Sequence, residues 1–152
     1  MTRRPVFILN GPNLNMLGVR EPHLYGTQTL ADLEAFCKAE ADTLGIDIDF
    51  RQSNHEGDLV DWIQESHETA AAILLNAAAY ARTSMAIQSA VRAVSTPILE
   101  IHITNIYTKE SYRPKSLLSC RRRHHLRVRV RYLSPGAHGG RSDDRRQRLA
   151  KD

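Results

Sequence analysis

At 152 residues, 41% hydrophobic and 25% charged, the chain has the size and composition of one globular domain with a real core. It contains no run of about 18 apolar residues, which excludes a membrane-spanning helix, and its two cysteines, Cys37 and Cys120, make no disulfide framework. The net charge of +4 is unevenly spread: residues 1–119 carry ten Lys and Arg against fourteen Asp and Glu, a net of −4, and residues 120–152 carry eleven against three, a net of +8. A mildly acidic body does not suit nucleic-acid binding, and the N-terminal Met1-Thr2-Arg3-Arg4-Pro5 lacks the apolar core of a signal peptide, so a cytoplasmic protein is expected.

The first element is Val6-Phe7-Ile8-Leu9, a wholly apolar run that ends in Asn-Gly-Pro-Asn. This suits a buried parallel strand stopped by turn chemistry. Residues 11–28, "GPNLNMLGVREPHLYGTQ", are crowded with Gly, Pro and Asn but hold neither GxGxxG nor a phosphate-loop lysine. A helix is expected over residues 29–44. Thr29 and Asp32 make its capping box, Gly45 stops it, and Leu30, Leu33, Phe36 or Cys37, and Leu44 share its apolar face. Cys37 then reads as a buried thiol. Residues 46–50 alternate apolar and acidic as a strand does.

After the polar turn Ser53-Asn54-His55-Glu56-Gly57, a second helix is expected over 58–69 with Leu59, Trp62 and Ile63 on one side. Residues 70–75 form a third apolar strand, 84–95 a third helix ended by Pro97, and 98–103 a fourth strand. The βαβαβαβ order argues for an α/β fold, a parallel sheet covered on both faces. Sites in such sheets form outside the carboxyl ends of the strands. Those ends carry Asn10, Asn13, Arg20 and Tyr25; Asn54, His55 and Glu56; Asn76 and residues 80–84; and Glu100, His102, Thr104 and Asn105. None makes a metal-ligand spacing.

Two pairs could carry acid–base chemistry. A free tyrosine has a pKa of about 10, and a guanidinium such as Arg20 held beside Tyr25 would favour phenolate and make a base. The same two residues also suit a packed loop tyrosine beside a surface arginine. Glu100 and His102 share one strand face, so the carboxylate could orient the imidazole for work as a general acid, or the two could form a structural pair. Asn13 and Asn76 could donate to a developing oxyanion or simply close turns. His55 is an alternative acid or a turn residue.

Four stretches in order, "LNGPNLNMLGVREPHLYG", "FRQSNHEGDLVDWI", "LLNAAAYARTS" and "EIHITNIYTKESYR", resemble the type II 3-dehydroquinate dehydratases over residues 6–119. The resemblance implies a flavodoxin-like three-layer sandwich with five parallel strands, and trimers assembled into a dodecamer. It implies a hydro-lyase of the shikimate pathway that interconverts 3-dehydroquinate and 3-dehydroshikimate by anti elimination through an enolate. No metal or cofactor is implied. By the same resemblance Tyr25 removes the C2 proton, and Arg20 depresses its pKa from a mobile lid. Asn13 steadies the enolate through a water. His102 protonates the leaving C1 hydroxyl, with Glu100 orienting it. Asn76 and Arg113 bind hydroxyls, and the backbone at Ile103 and Thr104 holds the carboxylate.

The chain departs from the family's Asn-Pro-Gly-Ala-Tyr-x-His-Thr-Ser at residues 76–84, where it reads Asn-Ala-Ala-Ala-Tyr-Ala-Arg-Thr-Ser. Arg82 thus replaces a substrate-contacting His and adds a fixed charge. Ser89 stands where an Asp is common, Thr104 replaces Ser, and Lys109 replaces a lid Arg. After Ser119 the resemblance ends. The family continues with an apolar strand and an amphipathic helix, whereas residues 120–152 form a divergent basic tail in which residues 126–132 alternate well enough for an exposed strand. With GC-rich codons for residues 120–146, dropping one base gives "AAAATICGFGFDTYRLALTAADLMIA", which has the family's pattern. A one-base shift near codon 120 is therefore one reading of the tail. An inactive, truncated relative and an arginine-rich anion-binding module are the competing readings of the whole chain.

Overall fold

The computed structural model describes residues 3–19, 27–103, 116–119 and 128–129. Arg20, Tyr25, Thr104, Lys109, Arg113 and most of the basic tail lie outside the described residues. Strand β1 spans Val6–Asn10, one residue longer than its apolar run, and all but its first residue are buried. A short 3-10 turn follows at Leu14–Met16. Helix α1 spans Leu30–Leu44 and starts as expected: the Thr29 hydroxyl accepts from the Asp32 backbone N–H at 3.1 Å, and Asp32 Oδ2 accepts from the Thr29 N–H at 2.9 Å. Gly45 closes it in the left-handed conformation at φ 64°.

The apolar face expected of α1 is only partly covered: Leu30, Leu33 and Cys37 are half-buried. Phe36 is 47% exposed and Leu44 70% exposed, and Ala41 alone is buried. Cys37 is half-buried, and that burial, with Glu34 nearby, raises its thiol pKa.

Strand β2 spans Ile48–Gln52, shifted two residues beyond the alternating run. Helix α2 spans Glu56–Thr69 and begins earlier than residue 58. Its entry is tied by a hydrogen bond between Ser53 Oγ and Asp58 and by the His55 backbone N–H donating to Ser53 Oγ at 2.9 Å. Leu59 and Ile63 are fully buried, each contributing about 1.5–3 kcal/mol of apolar burial. Trp62 packs against the core from its edge.

Strand β3 spans Ala72–Asn76, α3 Tyr80–Thr83, α4 Met85–Ala93 and β4 Ile98–His102. Ser84 caps α4 through the Ile87 N–H at 2.8 Å. A second 3-10 turn at Leu117–Ser119 docks on α4, where Gln88 Nε2 donates to the Leu117 carbonyl at 2.7 Å. Strand β5, Val128–Arg129, pairs in parallel with Ile101 and His102. It falls inside the tail segment expected to be strand-like, and it takes an outer place in the sheet.

All described pairings are parallel, in the order β2-β1-β3-β4-β5. The core gathers Phe7, Leu9, Leu59, Ile63, Ile73, Leu75, Ile87 and Ile98 between the sheet and α2 and α4. In this order the chain leaves β1 first towards β2 and then, on the other side, towards β3. That reversal opens a crevice at the carboxyl ends of β1 and β3.

Candidate active site

The crevice is built by close backbone approach. The Gly11 N–H donates to the Asn76 carbonyl at 2.8 Å. A Cβ on Gly11 would lie 2.6 Å from the Ala77 carbonyl oxygen, so no larger residue fits there. Asn10 and Asn76 are register partners across β1 and β3, and both side chains are buried. The Asn10 side-chain amide donates to the Arg51 carbonyl at 3.1 Å, and the Asn10 backbone carbonyl accepts from the Ser53 N–H at 3.0 Å. Asn10 therefore welds the ends of β1 and β2. Asn76 stands on the other side of the crevice.

Asn13 follows on the β1 loop with φ 66° and ψ 1°, a left-handed conformation that asparagine tolerates better than most residues. Its side chain caps nothing in the turn it precedes. Across β3, Ala78 also lies at positive φ, 51°, where the family pattern has Gly. Arg82 sits partly buried on α3, and Ser89 is exposed on α4.

Strand β4 supplies a carboxylate–imidazole pair. Glu100 and His102 lie on one face by the two-residue period, and His102 Nε2 is 2.8 Å from Glu100 Oε1. The carboxylate side chain is 2% exposed and the imidazole 15%. Ser116, buried and 16 residues further on, donates from Oγ to the same Glu100 oxygen at 2.7 Å. The Leu118 N–H in turn donates to Ser116 Oγ at 3.2 Å. Glu100 is thus held from two sides and holds His102 at the mouth of the strand. Ile103, half-buried, follows directly.

Of the expected site residues, Asn13, Asn76, Arg82, Glu100, His102 and Ile103 stand at the strand carboxyl ends. Asn13 and Asn76 flank the crevice, and Glu100 and His102 stand one strand further along. Arg20, Tyr25, Thr104 and Arg113 lie outside the described residues. Sequence reasoning missed Ser116. It comes back to the site across a long connection, and a serine before Leu117-Leu118 carries no local signal. His55 is exposed at the head of α2, and its backbone serves that turn. Among the described residues, no group of three or more His, Cys, Asp or Glu could hold a metal ion, and no helix is long and apolar enough to cross a membrane.

The family model described as dehydroquinase class II matches residues 4–126. The 3-dehydroquinate dehydratase of Sinorhizobium medicae is 57% identical over 114 residues, covering 75% of this chain and 77% of that protein. The enzyme of the same name from Brucella canis is 55% identical over 116 residues, covering 76% and 74%. The crystal structure of type II dehydroquinase from Butyrivibrio crossotus superposes with a TM-score of 0.76 at 32% identity, covering 82% of this chain and 88% of that one. That from Propionibacterium acnes superposes at 0.73 with 36% identity, covering 78% and 81%. A flavodoxin-like strand order, a polar crevice at its reversal point and a buried Glu–His pair on the adjoining strand end accompany these matches. The chain belongs to the class II dehydroquinase family.

Proposed function

We propose that the chain is a 3-dehydroquinate dehydratase, a hydro-lyase that reversibly converts 3-dehydroquinate to 3-dehydroshikimate in the shikimate pathway. The observation that carries the reading is the Glu100–His102 pair, a 2.8 Å contact between a buried carboxylate and an imidazole that reaches the strand end. A general acid needs that arrangement: a proton-bearing ring held in one orientation beside the leaving group.

In this reading Tyr25 takes the C2 proton, helped by Arg20. The electrons move onto the ketone oxygen as an enolate, which Asn13 steadies through a water. The enolate then expels the C1 hydroxyl, which leaves as water with a proton from His102. Glu100 fixes the ring and keeps its charge inside the protein. Asn76, Arg82 and Arg113 bind ring hydroxyls, and the backbone at Ile103 and Thr104 holds the carboxylate. One proton enters Tyr25 and one leaves His102, so the protein's net charge is unchanged over the step and no redox partner is required. The roles of Tyr25, Arg20, Thr104 and Arg113 rest on the family motif alone.

Residues 1–119 are read as the catalytic α/β domain and 120–152 as a divergent basic tail that lends the sheet its β5. The assembly is read as a trimer-based dodecamer, and the location as cytoplasmic. The test is direct: supply 3-dehydroquinate to the purified chain, follow the ultraviolet absorbance of the conjugated enone, and run size-exclusion chromatography in parallel. Turnover is expected. A folded, soluble dodecamer without turnover overturns the reading. Salt-dependent DNA binding in its place would point to the basic tail as the working part.

A further inference from the structure

Asn54 occupies a junction that the proposed chemistry leaves unused. Its side-chain Oδ1 accepts the backbone N–H of Asn13 at 2.9 Å. The same oxygen accepts from Gln52 Nε2 at 3.1 Å, and Gln52 Nε2 also lies 3.3 Å from the Gly11 carbonyl. The backbone carbonyl of Asn54 accepts from the Tyr80 hydroxyl at 2.8 Å. One residue therefore ties together the loops that leave β1, β2 and β3. Asn13 needs such a tie. It stands in the left-handed region at the head of a three-residue turn, with no side-chain cap of its own. Its conformation is fixed from outside, by the loop after β2.

We propose that Asn54 is a positioning residue for the dehydration, acting through Asn13; the inference rests on the dehydratase reading above. Asn54 touches no reacting atom. It holds the Asn13 backbone amide, and with it the loop that in the dehydratase reading presents the Asn13 side chain to the enolate. Tyr80 plays the supporting part, fixing the Asn54 backbone from the far side of the crevice. An acceptor at that reach is supplied by Asn or Asp and by no apolar side chain.

The experiment compares Asn54→Ala, Asn54→Asp, Tyr80→Phe, Asn13→Ala and the Asn13→Ala/Asn54→Ala double variant in the full-length chain. Asn54→Ala is expected to lower kcat by about 10- to 100-fold with KM little changed, the scale of a misplaced catalytic group. Asn54→Asp keeps the acceptor and is expected to keep kcat within about threefold of the parent. Tyr80→Phe is expected to move kcat in the same direction as Asn54→Ala and by less. The double variant is expected to match Asn13→Ala alone, because Asn54 has nothing left to position.

Multiplicative losses in the double variant, a loss confined to KM, or an unchanged kcat in Asn54→Ala would each overturn the proposal. Amide hydrogen exchange at Asn13 reads the contact without any substrate. Faster exchange in Asn54→Ala, restored in Asn54→Asp, is expected, and unaltered exchange counts against the proposal. A parent chain that binds the contact in this way yet turns over no 3-dehydroquinate would sink the dehydratase reading instead.

Discussion

Glu100 Oε1 lies 2.8 Å from His102 Nε2 and, on the same oxygen, accepts from Ser116 Oγ at 2.7 Å. In the dehydratase reading Glu100 is ionised and only accepts, so the Nε2 proton faces it and Nδ1 serves the substrate. Glu100→Gln keeps the shape and removes the charge. It is expected to lower kcat by about 10²-fold, towards the low end of general acid–base contributions, with a smaller change in KM. Steady-state kinetics checks this, and a Gln variant with parental kcat would show that the charge is dispensable.

Ser116→Ala tests the other side of the same carboxylate. Removing the hydroxyl leaves a buried oxygen with one donor fewer and the Leu118 N–H without its acceptor. A destabilisation of about 1–3 kcal/mol is expected. Denaturant unfolding measures it, and a shift below a few tenths of a kcal/mol would mean that water replaces the hydroxyl.

Tyr25→Phe removes the base assigned to the C2 proton. A loss of about 10²- to 10⁴-fold in kcat is expected, with binding of 3-dehydroquinate largely kept. Calorimetric titration beside the rate assay separates the two. Undiminished turnover would transfer the role of base to another residue.

Ala78 sits at φ 51° where glycine carries no Cβ penalty. Ala78→Gly relieves that strain and gives back part of it through the looser unfolded chain. A net gain of about 0.5–1 kcal/mol is expected, which raises the melting temperature by about 1–4 °C in a chain of this size. Calorimetry decides it; a lower melting temperature would show that the Ala78 methyl packs better than the strain costs.

Much of the fold was legible because its signals are local. Thr29 with Asp32, Gly45 and Pro97 mark ends, and Val6–Leu9 and Leu74–Leu75 are strand-like on composition alone. The two-residue lag of β2 was not legible, since Arg51 reads as a strand-breaking charge until its partners are seen. They are Asp49 on its own strand and Glu65 on α2, at 2.6 Å each, with the guanidinium stacked 4.4 Å from the Phe7 ring. Phe36 and Leu44 misled for the opposite reason. Helical periodicity names an apolar face but not how far it is covered: Leu30 and Leu33 are half-buried here, while Phe36 and Leu44 remain exposed. In the site, Glu100 and His102 were legible by strand period, whereas Ser116 and the Asn54 junction depend on loops meeting in space.

The Arg51 fork also sets a pH dependence. Its hydrogen bonds lower the Glu65 pKa below the ordinary glutamate value. A carboxyl depressed in the folded state contributes stability that is present above its unfolded pKa, about 4.3, and lost as pH falls through the folded value. Glu65 is 42% exposed, so solvent screens the gain. In Arg51→Met the Glu65 carboxyl is expected to titrate higher, near the ordinary value, when followed by NMR. No difference between the two chains would show that the fork contributes nothing in solution.

The strand that carries Glu100 and His102 borders the tail. Val128 and Arg129 pair with Ile101 and His102, so β5 satisfies the outer backbone edge of β4 at its carboxyl end. Cutting the chain after Ser119 opens that edge to water while leaving Glu100 and Ser116 in the sequence. The short pairing holds only the last two residues of β4, and Ile98 and Leu99 remain anchored on β3. The expected result is therefore local: faster amide exchange at residues 101–103, a lower kcat and a lower melting temperature, with the amides of β1 and β3 still protected. Hydrogen exchange by mass spectrometry beside the rate assay checks this. If the shortened chain keeps parental kcat and exchange at His102, the tail's strand lies on the sheet without supporting it.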